Sequence, residues 1–173
     1  MTSVITDQRR VSVGIGQLAI SRDPKEILVA YGLGSCIGVS VFDPTTRVAG
    51  LVHVLLPASD GKVADAREPA RFADTGIDTL MRKIVEAGGM PRRLIVKIAG
   101  GASVLGPSNA EKFKIGERNA DAVKERLKRH GVSPAALDLG GNPGGGEEET
   151  AGTPENRLSV SRLRCQGVGQ ARS

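Results

Sequence analysis

Two strand-like runs fix the centre of this chain. Residues 36–42 (CIGVSVF) and 47–56 (RVAGLVHVLL) are rich in β-branched and apolar side chains, and between them stands Asp43-Pro44-Thr45-Thr46, a turn-forming tetrapeptide. The segment reads as a β-hairpin. Centring the turn on Pro44 and Thr45 sets Phe42 opposite Arg47 and, further up the ladder, Cys36 opposite His53. Directly opposed residues share a face, with Cβ atoms roughly 4.5–5.5 Å apart. A bulge between them would break that register.

The flanking sequence supplies further strands and two helices. Residues 11–20 (VSVGIGQLAI) alternate apolar and small residues, as one strand with bulges at Gly14 and Gly16 would. Asp23-Pro24 marks a turn, residues 27–31 form a short β-rich run, and Gly32-Leu33-Gly34-Ser35 is a tight loop directly before Cys36. Ala73, Ile77, Leu80, Met81 and Ile84 recur at helical spacing, predicting an amphipathic helix over 69–87 stopped by Gly88-Gly89. A strand over 94–98 leads into the small-residue loop Gly100-Gly101-Ala102-Ser103. A second helix over 116–130 then carries Ala120, Val123 and Leu127 on one face. Residues 135–139 make another strand. This order fits an α+β domain better than a regular βαβ alternation.

From Gly140 onward the stretch GGNPGGGEEETAGTPE loses its apolar anchors and reads as flexible. Residues 157–163 (RLSVSRL) alternate well enough to return as an edge strand. A single domain over 1–141 followed by a flexible Gly/Glu-rich tail over 142–173 is expected, and 173 residues suffice for one hydrophobic core without metals or disulfides.

Charge and composition narrow the function classes. A formal net charge of +5 invites phosphate binding by counterion release. Single-stranded nucleic acid also needs exposed aromatics to stack on. The only aromatics are Tyr31, Phe42, Phe72 and Phe113, none within a basic run, so nucleic acid is not the expected partner. An acidic partner surface explains the same charge. Nowhere do about 18 apolar residues run uninterrupted and no apolar leader opens the chain, so a soluble cytoplasmic protein without membrane insertion is expected. Two cysteines and two histidines without C-x-x-C spacing make a poor zinc site, and GGNPGGG lacks the Lys-Ser/Thr of a phosphate loop. Neither metal nor cofactor is expected. Cys165 reads as incidental, His130 as a structural residue suited to its helix's C-terminal dipole, and Asp60, Glu117 and Arg118 as solvated surface. Glu117-Arg118-Asn119 has a second reading as the lining of a substrate groove.

Chemistry concentrates on Cys36 and His53. A free thiol is mostly protonated near neutral pH, and a neighbouring imidazolium favours the thiolate. Main-chain N–H groups of Gly34, Ser35 and Cys36 can point at a developing oxyanion from a loop free of side chains. The bland reading is a buried small cysteine and a satisfied core histidine.

The segments GLGSCIGVSVFDP (32–44), AGLVHVLLP (49–57), KIAGGASV (97–104), IGERNADAVKERL (115–127) and LGG (139–141) resemble the CheD family in order and spacing. The resemblance spans residues 11–141. It implies two packed mixed β-sheets flanked by helices, and an activity that hydrolyses particular glutamine side chains on chemoreceptor helices to glutamate and ammonia, with receptor methyl esters as a second substrate in some members. It assigns Cys36 as nucleophile and His53 as general base and acid. A CheC-type phosphatase adaptor is a further partner it implies. The family's third catalytic position is a threonine six residues before the cysteine, and here that position is Ala30, which offers only its backbone carbonyl to orient the imidazole. Family members also carry an arginine soon after LGG, whereas this chain has none until Arg157. The alternative is a non-catalytic chemotaxis adaptor that binds receptor helices.

Overall fold

The computed structural model describes residues 9–102, 114–140, 147–151 and 159–162. Cys165, Ser103 and the expected boundary at 141/142 lie outside them. Nine strands and two helices run in the order β1 (Arg9–Ser12), β2 (Leu18–Ser21), β3 (Glu26–Ala30), β4 (Ile37–Asp43), β5 (Val48–Val54), α1 (Ala73–Glu86), β6 (Ile95–Gly100), α2 (Ile115–Arg129), β7 (Ala136–Leu139), β8 (Glu147–Ala151) and β9 (Ser159–Arg162). They form two mixed sheets, ordered β2-β5-β4-β6-β7 and β1-β3-β8-β9.

β4 and β5 are buried along their whole length because both faces of their sheet are covered. Val48, Val52 and Val54 of β5, with Ile37, Val39 and Val41 of β4, pack against Ile77, Leu80, Met81 and Ile84 of α1 and Ala120, Val123 and Leu127 of α2. The alternate residues Ala49, Leu51 and Phe42 meet Leu28, Ala30 and Leu33 on the other side. The layers are therefore helices, five-stranded sheet, four-stranded sheet. The apolar stripes read from helical spacing are the stripes that the helices bury. The helices are also joined at the surface, where Asp78 of α1 accepts from Arg126 of α2 and lies 2.7 Å from His130 Nε2.

Three expectations need correction. The run 11–20 is two strands in two different sheets. Gly16 at φ +75° and a turn in which the Gln17 N–H donates to the Gly14 carbonyl (3.0 Å) carry the chain from one to the other. The Gly/Glu-rich stretch expected to be flexible contributes β8, which lies antiparallel to β3, and β9, which pairs with β8 where an edge strand was expected. A strand edge recruits main chain whatever the side chains attached to it.

The hairpin, finally, is displaced by two residues in its pairing. Asp43 pairs with Val48, and Gly38 stands opposite His53. Asp43 lengthens the turn: its Oδ1 accepts from the N–H groups of Thr45 (2.9 Å) and Thr46 (3.4 Å), its carbonyl accepts from Arg47 (2.7 Å), and Arg47 closes the loop at φ +60°.

The fully buried Asp43 carboxylate also receives the Met90 N–H (2.9 Å) and the Arg93 guanidinium (2.7 Å). Burial alone would raise its pKa, but these donors hold it far below the usual carboxylate range. Its contribution to stability is present above the unfolded value near 3.9 and is lost as pH falls through the lowered folded value. Asp43→Ala should lower unfolding free energy in urea by on the order of 3 kcal/mol with unchanged m, because buried N–H groups lose their acceptor. The variant's loss of stability below about pH 4 should be smaller than that of wild type.

Candidate active site

Cys36 is the last residue of a tight turn before β4. Gly34 takes φ +47°, and the Cys36 N–H donates to the Leu33 carbonyl at 2.6 Å. Three successive carbonyls of this turn are held from the outside. Gly34 accepts from the Ala102 N–H (2.7 Å), Ser35 from Asn119 Nδ2 (2.9 Å), and Cys36 from the Gly101 N–H (2.9 Å). The contact with the 100–102 loop requires glycine: at Gly100, φ +104°, an added Cβ would lie 2.2 Å from the Cys36 carbonyl oxygen. That explains why a small-residue loop follows β6.

A trans peptide points its N–H opposite its carbonyl. With the Gly34 carbonyl tied to Ala102, the Ser35 N–H faces the other way. Neither it nor the Gly34 N–H has a partner among the described residues. Gly34 is exposed and Ser35 half-buried. Of the three N–H groups expected to serve an oxyanion, the Cys36 N–H is already engaged within the turn, which leaves two.

His53 projects from β5 on the face turned toward the second sheet, between Leu51 and the end of the strand. Its main chain is held by the loop between β1 and β2: the His53 N–H donates to the Gln17 carbonyl (3.0 Å), and the His53 carbonyl accepts from the Gly16 N–H (2.8 Å). The ring belongs to the same network, with Nδ1 3.3 Å from the Val13 carbonyl. A carbonyl only accepts, so Nδ1 carries the proton and Nε2 presents a bare lone pair. Nε2 is buried and has no partner among the described residues.

The acceptor that orients the ring is thus Val13, not Ala30. Ala30 lies fully buried on β3, paired with Glu149 of β8, whereas the Val13 N–H bonds the Val29 carbonyl at 2.8 Å and leaves the Val13 carbonyl to His53. Ala30 offers no side-chain hydroxyl, and the ring's acceptor is main chain from the segment after β1.

In the observed register Gly38 stands opposite His53; Cys36 directly precedes β4, and continuing the strand's alternation one residue back makes it the diagonal neighbour of His53 on the same face. Such neighbours lie about 7–8 Å apart at the backbone, a separation that side chains partly close. Burial pushes the Cys36 thiol up, and burial lowers His53 despite its bond to Val13. Both shifts favour the neutral forms over a thiolate–imidazolium pair. The chemistry available is proton removal by Nε2 as the sulfur attacks. Alkylation of Cys36 by iodoacetamide, followed on its own peptide by mass spectrometry, should have its pH midpoint above the ordinary thiol value of about 8.5. A midpoint below that value would indicate a preformed ion pair.

Asn119 is fully buried and gives its amide hydrogens to Ser35 and Leu55, so it does not line a groove. Glu117 and Arg118, its exposed neighbours, do border surface grooves: Arg118 with Leu56, Pro57, Phe72 and Ile115, and Glu117 with Gly101, Lys124 and Leu139. Among the described residues no group of His, Cys, Asp and Glu side chains is arranged to hold a metal ion, and no helix is long and apolar enough to cross a membrane.

A mixed α+β fold with a buried thiol directly before β4 and a buried imidazole on the neighbouring strand β5 is compatible with a cysteine-dependent hydrolase. The model of the family described as "CheD chemotactic sensory transduction" matches residues 55–145. The "Probable chemoreceptor glutamine deamidase CheD" of Symbiobacterium thermophilum is 41% identical over 143 residues, 81% of this chain and 86% of that protein. The "Chemoreceptor glutamine deamidase CheD" of Thermotoga maritima is 41% identical over 157 residues, 91% of each chain. The chain belongs to the CheD family. Among solved structures, YlmD from Geobacillus stearothermophilus is similar at a TM-score of 0.47 and 13% identity, covering 79% of this chain and 60% of that one.

Proposed function

We propose that this protein is a chemoreceptor glutamine deamidase in which Cys36 is the nucleophile and His53 the general base and acid. The observation that carries this reading is the bare Nε2 of His53 on the same sheet face as Cys36, its tautomer set by the Val13 carbonyl. The names borne by relatives at this level of identity supply the substrate: glutamine side chains of chemoreceptors.

The reaction balances with these groups alone. His53 Nε2 takes the Cys36 proton as sulfur attacks the carboxamide carbon, and the N–H groups of Gly34 and Ser35 receive the oxyanion. Collapse of the tetrahedral intermediate breaks the C–N bond, and the imidazolium returns its proton to the departing ammonia. A water molecule, deprotonated by His53, then cleaves the thioester to glutamate and restores the thiol. A receptor methyl ester follows the same path with methanol leaving. Action on the cytoplasmic part of receptors calls for a cytoplasmic protein, and a CheC-type phosphatase adaptor is the second partner that the family resemblance implies.

Ammonia release measured with a receptor cytoplasmic fragment and with free glutamine tests the reading. Release from the fragment and not from free glutamine supports it. Binding of the fragment without release, under conditions where the protein is folded, would favour the adaptor alternative.

A further inference from the structure

Outside the reacting groups, one buried side chain touches both halves of the site. Asn119 lies on the buried stripe of α2, between Gly116 and Ala120, and is wholly inaccessible. Its Nδ2 donates to the Ser35 carbonyl and to the Leu55 carbonyl, each at 2.9 Å. Both partners are carbonyls, so the amide's nitrogen, not its oxygen, must face them. Ser35 immediately precedes the nucleophile, and Leu55 follows His53 by two residues, directly after β5.

The consequence for Cys36 is specific. The Ser35–Cys36 peptide is pinned at both ends, its carbonyl by Asn119 and its N–H by the Leu33 carbonyl at 2.6 Å. These two bonds fix the peptide plane from which the Cys36 residue departs. The helix that carries Asn119 is itself held close, since an added Cβ at Gly116 would lie 2.5 Å from the Gly101 oxygen. The first turns of α2 therefore transmit a fixed distance to the cysteine turn and the histidine strand together. Asn119 Oδ1 is buried and has no partner among the described residues, so the position uses the two donors of an amide and not its acceptor.

We propose that Asn119 is a positioning residue that holds the Cys36 turn and the end of the His53 strand at the separation acyl transfer needs. This rests on the assignment of Cys36 and His53 in the deamidation reaction. A misplacement of about 1 Å at a reacting group can lower rate about 100-fold. Asn119→Ala should therefore lower kcat on a receptor fragment by about 100-fold with KM changed less than about threefold, because substrate binding is untouched. Val123→Ala, a cavity in the same helix away from the site, controls for lost stability and should keep kcat at an equal or larger drop in urea midpoint.

If Asn119→Ala does not fold, Asn119→Ser, which cannot reach both carbonyls, replaces it with the same expectation. Retained kcat in a folded Asn119 variant, or a loss no greater than its unfolded fraction, would overturn the proposal. So would failure of both variants to fold while Val123→Ala folds, which would leave Asn119 a structural clamp alone. Absence of turnover in wild type removes the deamidase reading itself, whereas wild-type turnover with unchanged kcat in Asn119→Ala removes this inference only.

Discussion

Cys36→Ala should reduce deamidation of a receptor fragment on the order of 10,000-fold, to the limit of detection, while leaving the protein folded and able to bind the fragment. Without the sulfur no thioester forms. The turn that carries residue 36 is held through the main chain, by Leu33, Gly101, Ala102 and Asn119, so it survives truncation of the side chain. Loss of one small buried group should cost about 1 kcal/mol of stability, readable in urea unfolding. Cys36→Ser is expected to be inactive too. Its hydroxyl keeps the shape of the thiol but is far less acidic and a weaker nucleophile in a site built around a thiol. Turnover within tenfold of wild type in either variant would mean that another residue attacks the amide.

His53→Gln should lower kcat by about 100- to 10,000-fold, the range spanned by positioned acid–base groups. In wild type Nε2 both removes the thiol proton and protonates the leaving ammonia, so its loss affects acylation twice. The pH dependence has a definite sign. Burial lowers the His53 pKa, so activity in kcat/KM should hold below the ordinary imidazole value of about 6.5 before the acid limb begins. The same shift destabilises the fold in acid: the unfolded chain takes up a proton at His53 before the folded one does, and stability falls as pH drops below about 6.5. His53→Gln removes that component, so its stability between about pH 6.5 and 5 should vary less than that of wild type. An acid limb above 6.5 would contradict the lowering that burial gives this ring.

What could be read from residues alone divides along physical lines. The helices were legible because burial of one stripe imposes a spacing: Ile77, Leu80, Met81 and Ile84 in α1, and Ala120, Val123 and Leu127 in α2, are the residues that spacing predicts. The β4–β5 hairpin was legible as a hairpin and misjudged in register. Its turn length is set by side-chain bonds from Asp43, a residue whose guanidinium partner lies fifty positions away at Arg93, beyond the reach of a local turn rule. Cys36 and His53 still share a face, since a displacement of two pairs preserves the alternation.

The acceptor for His53 was not legible. A main-chain carbonyl such as that of Val13 leaves no mark in composition, and the loop that delivers it lies in a segment that alternates like a continuous strand. Asn119 did leave a mark: it is a polar residue on an otherwise apolar helical stripe, and a buried amide must find partners. β8 was missed because EEETA is poor in β-branched and aromatic residues and so carries no strand signature of its own.

The account stands most directly on which atoms of a receptor the protein changes, and by which thiol. Mass spectrometry of a receptor cytoplasmic segment incubated with wild type, Cys36→Ala or His53→Gln would map each glutamine converted to glutamate. Conversion at a small set of glutamines by wild type, none by Cys36→Ala and a trace by His53→Gln is the predicted result. Equal conversion by wild type and Cys36→Ala would contradict it.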